Sequence, residues 1–108
     1  MLVELDVFSG RPNPRWQFDE RSARQLRRLL SRLTASTVAP PEPPALGYRG
    51  FLYADAMGRC RAYQGYVRTS RAVLADPSFS IERFLLDRLP AEFAPLRRRI
   101  ASELGRPK

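Results

Sequence analysis

The sequence predicts an α+β fold: a small antiparallel sheet of three, possibly four, strands with two or three helices packed on one face. Three observations carry this. Leu2 to Phe8 alternates Val3, Leu5 and Val7 with Glu4, Asp6 and Phe8, the period of two of a strand with one buried face. Ala23, Leu26, Leu29, Leu30 and Leu33 recur at helical spacing. Gly47–Ala54 and Arg59–Arg68 flank Asp55-Ala56-Met57-Gly58, a turn signature with Asp first and Gly fourth.

The first helix is expected over Glu20–Ala35, with Asp19 able to cap its open N–H groups and Glu20 favourably placed against its dipole. Its polar side carries Arg21, Arg24, Arg28 and Arg32. Such a stripe is ordinarily a solvated face, and phosphate contact is the functional alternative for it and for Arg97-Arg98-Arg99. Residues 36–46 contain Pro40-Pro41-Glu42-Pro43-Pro44, which excludes helix or central strand and predicts a stiff, extended crossover. With a bulge at Gly58, the hairpin sets Tyr53 opposite Arg61 and Phe51 opposite Tyr63. Arg49, Phe51, Tyr53, Arg61 and Tyr63 then share one face, and Gly50, Leu52, Ala54, Cys60 and Ala62 the other. Arg71–Asp76 reads equally as strand or loop. Ser80 is the expected N-cap of a helix carrying Ile81, Phe84 and Leu85, and Pro95 opens a last helix ending at Gly105.

A chain of 108 residues suits one domain spanning 1–108, with 105–108 as a flexible tail. No leader-like or membrane-spanning segment is evident, so a soluble cytoplasmic protein is expected. The net charge is +8, and every basic residue except Lys108 is Arg. A GC-rich coding bias produces that pattern without selection, while guanidinium forks also grip phosphate and carboxylate in two places at once.

There is no His and one Cys, Cys60, which removes Ser-His and Cys-His nucleophile pairs and ordinary zinc sites. Glu4, Asp6, Asp76 and Glu82, with Ser9 or Cys60, form no spacing a known mechanism requires. No catalytic residue, metal or cofactor is therefore assigned, and an enzyme, or an enzyme subunit contributing part of a site, ranks third among the functional readings.

The strongest candidate site is Ser9-Gly10-Arg11-Pro12-Asn13-Pro14-Arg15-Trp16, between the first strand and first helix. Two prolines fix φ and Gly10 permits a positive φ, so Arg11, Asn13, Arg15 and Trp16 are held in restricted orientations. Preorganisation of that kind lowers the entropy cost of binding. The alternative is internal: Trp16 and Phe18 plug the core while Arg11 pairs with Asp6 or Asp19.

The leading functional reading is a non-catalytic binding or accessory module. Its recognition surface joins that loop to Tyr48 and Arg49, and its partner is another protein or an anionic ligand. The second reading is a single-stranded nucleic-acid binder using Phe51, Tyr53, Arg61 and Tyr63. Against it, Glu4 and Asp6 point towards that face, and no ribonucleoprotein octapeptide is present. Oligomeric state is left open.

Val3–Trp16, Leu46–Phe51 and Ala75-Asp76-Pro77 ahead of Glu82 resemble a group of small microbial proteins sharing a Ser-Gly-Arg-Pro-Asn-Pro-X-Trp segment. No activity is established for that group, so the resemblance implies a shared shape and transfers no mechanism.

Overall fold

In the computed structural model, which describes residues 1–56 and 58–105, the chain forms seven strands and three α-helices. In chain order these are β1 (Leu2–Leu5), β2 (Arg15–Gln17), α1 (Glu20–Leu30), β3 (Thr34–Ala35), β4 (Phe51–Asp55), β5 (Gly58–Tyr63), β6 (Tyr66–Arg68), β7 (Val73–Ala75), α2 (Ser80–Asp87) and α3 (Ala94–Glu103). A single 3-10 turn, Ala91–Phe93, precedes α3. All seven strands join one antiparallel sheet in the order β2-β1-β4-β5-β6-β7-β3.

The α+β arrangement is as expected, but a sheet of three or four strands is too small. One added member, β6, comes from the expected strand Arg59–Arg68, which turns at Gln64-Gly65, both with positive φ, and folds back so that β5 and β6 pair as a second hairpin. The other three, β2, β3 and β7, are two or three residues long and fall where the sequence reads as loop, helix end or undecided segment. So few residues carry no periodicity of their own. They become strands because an existing edge offers them partners: Trp16 pairs with Val3, and Ala35 with Leu74. For the same reason α1 stops at Leu30, not Ala35, since Thr34 and Ala35 are recruited to β7.

Side chains of Val3, Leu5, Phe51, Tyr53, Cys60, Ala62 and Val67 lie on one face of the sheet. They meet Leu26 of α1, Ile81, Leu85 and Leu86 of α2, and Ile100 of α3 in one hydrophobic cluster. The pairing Phe51↔Ala62 and Tyr53↔Cys60 replaces the expected Phe51–Tyr63 and Tyr53–Arg61 register. A shift of one residue in pairing moves every partner to the opposite face. It puts both aromatics of β4 against the helices. Met57, in the intervening turn, lies outside the described residues, as does the expected tail beyond Gly105.

The helices are held by side chains at their ends. Asp19 caps α1, its carboxylate accepting from the Ser22 N–H at 2.7 Å. At α2 the expected cap, Ser80, is instead the first helical residue. The buried Asp76 carboxylate does the capping, accepting from the Ser80 hydroxyl (2.7 Å) and the Ile81 N–H (2.9 Å). Gln64 ties down the end of α3, donating to the Glu103 carbonyl and accepting from the Gly105 N–H. Gly50 has φ +99°, and a Cβ there would collide with the Ala62 carbonyl. Only glycine lets the chain entering β4 run this close to β5.

Candidate functional site

The face of the sheet opposite the helices is where the charged side chains gather. Arg15, Glu4, Leu52, Arg61 and Arg68 are successive cross-strand partners, a single row across β2, β1, β4, β5 and β6. Neighbouring strands are about 4.8 Å apart, so Arg15 stands roughly 14 Å from Arg61 along the row and Arg68 one strand further. Arg59, two residues before Arg61 on β5, lies opposite Ala54 on the same side. These residues line a shallow basin of about 530 Å³ that opens to solvent.

One end of the basin is built by the Ser9–Trp16 loop, and here the side chains are engaged with one another. The Asn13 carboxamide oxygen accepts from the Val7 and Phe8 N–H groups at 3.0 and 2.7 Å. Its nitrogen donates to Glu4 (2.9 Å) and Asp6 (3.2 Å). All of that amide's usual hydrogen-bonding positions are occupied from within the chain. Asp6 receives Arg49 through Nε and Nη2 at 3.0 and 2.8 Å on one oxygen, and Arg61 at 2.9 Å on the other. Arg49 also donates to the Phe8 and Ala45 carbonyls, and Arg61 to the Arg49 carbonyl. Partial burial of Asp6 pushes its pKa up. The hydrogen bonds and charges of Arg49 and Arg61 outweigh that and hold the carboxyl below its ordinary value.

The expected contacts therefore separate into two groups. Asn13 and Arg49 are braces of the loop, and Trp16 turns to the helix side, its ring edge-to-face with Phe51 at 6.5 Å between centroids. Tyr48 is buried too, its hydroxyl donating to Glu82. Arg11 pairs with neither Asp6 nor Asp19; its guanidinium lies 3.7 Å over the Phe8 ring, exposed to solvent. Arg15 is exposed and bound to Glu4 at 2.9 Å. Of the proposed nucleic-acid face, Phe51 and Tyr53 are buried on the helix side, whereas Arg61 and Tyr63 alternate onto the uncovered side.

Arg59 and Arg68 belong to this basin, and the sequence alone does not single them out. It carries their alternation, Arg59-Cys60-Arg61 and Tyr66-Val67-Arg68, but not the register that sets the two runs side by side. Arg68 approaches Glu42 only at 3.8 Å, with both side chains largely in solvent. Among the described residues no carboxylate lies within ion-pair distance of Arg59.

A second polar cluster is sealed inside. Glu82 is 1% exposed, accepting from the Tyr48 hydroxyl and the Gly65 N–H. Burial raises its pKa against the opposing pull of those hydrogen bonds, and burial together with Glu82 drives the Tyr48 phenol far up. Cys60 is likewise raised by burial, the opposite of an activated thiolate. Among the described residues no three possible metal ligands lie together. No helix among them is long and apolar enough to cross a membrane. Comparison with protein-family models, curated proteins and solved structures returned no match.

Proposed function

We propose that this chain is a small non-catalytic binding module that takes an anionic partner on its uncovered sheet face, with the Ser9–Trp16 loop as the brace that shapes one end. The observation that carries the reading is the basin in which Arg59 and Arg68 stand beside Arg61 and Arg15, with one carboxylate, Glu4, in the lining. Guanidinium groups fixed on strands lose less freedom on binding than those on loops, and their forks match phosphate or carboxylate oxygens. The loop supports this role indirectly: by committing Asp6 and Asn13 to Arg49 and Arg61, it holds the β5 cation in place. The module acts in the cytoplasm, where its buried Cys60 stays a thiol.

The test is a pair of double charge reversals that change net charge equally. R59E/R68E alters the basin; R98E/R99E alters the exposed side of α3. Fluorescence anisotropy with a labelled oligothymidylate and with a labelled polyglutamate, each at low and moderate salt, reads the outcome. The basin variant is expected to lose at least about tenfold in affinity for the anion that binds, with a steep salt dependence, while the α3 variant keeps most of it. Equal losses from both variants, or none from the basin variant, overturn the reading.

A further inference from the structure

The proline segment lies against the β5–β6 end of the same face. Pro40, Pro41 and Pro43 line a cleft of only about 20 Å³ together with Arg61, Tyr63, Tyr66 and Arg68. The four sheet residues form a square: Arg61 is the cross-strand partner of Arg68, and Tyr63 that of Tyr66, two residues along each strand on the same side. Tyr63 is only 6% exposed although it belongs to the face without helices, with the strap on one side and Tyr48 at 5.7 Å on another. The strap's prolines share this cleft with the two tyrosines, and the Glu42 carboxylate sits 3.8 Å from Arg68.

We infer that this Tyr63–Tyr66/Arg61–Arg68 square is a platform for single-stranded nucleic acid that the proline strap occupies in cis. The inference rests on the anion-binding reading above and names its ligand. Paired tyrosines next to paired arginines are what an unpaired strand needs: ring faces for bases and guanidinium forks for the phosphates between them. The strap offers a counterpart to each half, prolines lining the tyrosines' cleft and a carboxylate 3.8 Å from Arg68. The face also extends beyond the strap to Arg59 and Arg15, so a continuous polyphosphate gains cation contacts that the strap leaves unused. A proline-rich acidic peptide fits only the covered end, where it competes on equal chemistry with a tethered segment at an effective concentration of about millimolar. The strand is therefore the favoured occupant.

The experiment compares a labelled oligothymidylate with an abasic strand of equal length, which keeps the phosphates and lacks the bases. Wild type is expected to bind both alike. P41S/P43S, which loosens the strap, is expected to bind oligothymidylate about fivefold or more tighter, with no gain for the abasic strand. Adding Tyr66→Leu removes the gain and Tyr66→Phe keeps it. Glu42→Gln, a change on an exposed side chain, gives a smaller gain in the same direction and keeps the test valid if the double variant does not fold. Equal gains for the abasic strand, no gain in either strap variant, or a gain confined to duplex or to an acidic peptide overturns the inference. In those cases, loss of binding in R59E/R68E still supports the basin. If wild type binds neither oligothymidylate nor polyglutamate at low salt, the anion-binding reading itself falls.

Discussion

Arg61 and Arg68 face each other directly on neighbouring strands, two guanidinium groups in one cross-strand pair. Like charges in this position oppose sheet formation. The repulsion is relieved unequally: Arg61 is clamped by Asp6 at 2.9 Å, whereas among the described residues the carboxylate near Arg68 is Glu42, at 3.8 Å and exposed. The exposed Glu42 contact recovers little of what the like-charged pair costs. Arg68→Thr is accordingly expected to leave stability unchanged or raise it by up to about 0.5 kcal/mol while weakening anion binding. Urea unfolding and anisotropy on one protein preparation check both halves; a loss of more than about 1 kcal/mol would make Arg68 a structural residue.

Asn13 is expected to be as important to folding as a core residue, though it sits in a surface loop. Asn13→Ala leaves the Val7 and Phe8 N–H groups without their acceptor and separates the loop from Glu4 and Asp6. The expected loss is about 2 kcal/mol or more. Asn13→Asp keeps an acceptor but places a third carboxylate beside two others, so the new group's pKa is raised in the folded state. Its penalty is absent below the ordinary Asp range and grows as pH rises through and above it. Chemical denaturation at about pH 7 and pH 4 separates the two variants: the Asp protein recovers at acid pH and the Ala protein does not.

Asp6 gives the opposite pH signature. Its folded pKa is depressed, so the stability it contributes is present above the unfolded value and lost as pH falls through the lower folded one. Asp6→Asn is expected to cost about 2 to 4 kcal/mol near neutral pH, because Arg49 and Arg61 are left in a partly buried site without a counter-charge. The gap between variant and wild type narrows as pH drops below the ordinary Asp range. A gap independent of pH would show that the carboxylate's charge is not what holds the two arginines.

The Tyr48–Glu82 pair titrates in the other direction. Burial raises the folded pKa of Glu82, so the native state is favoured below the ordinary Glu value and loses stability as pH climbs from there to the raised value. Tyr48→Phe removes one of the donors that stabilises the carboxylate and so widens that window. The expected cost is about 1 to 3 kcal/mol near pH 7 and much less near pH 4, read from denaturant midpoints across that range. A uniform cost at both pH values would mean that the hydroxyl serves packing alone.

Much of the local structure was legible along the chain. Val3, Leu5 and Val7 mark the first strand's buried side, Asp19 its following helix cap, and Pro95 the start of the last helix, since each acts on residues within a turn or so of itself. The importance of the Ser9–Trp16 loop was legible too, but its role was not. Asn13 and Arg11 have the same sequence credentials; one turns inward to four hydrogen bonds and the other lies on Phe8. That choice depends on Asp6 being taken by Arg49 and Arg61, 43 and 55 residues away in the chain.

By itself, then, the sequence determined the α+β class, the main helices, the basic surface and the lack of a histidine-based mechanism, all of which follow from composition and short-range pattern. The tertiary structure alone decided the seven-stranded sheet, the hairpin register and the arginine row. Strands of two or three residues exist only where a neighbouring edge completes their hydrogen bonds, and a register shift of one residue decides which side chains face the helices and which face solvent. The β4–β5 register buried Phe51 and Tyr53, and the turn at Gln64-Gly65 set Arg68 beside Arg61 on the open face that Arg59 shares.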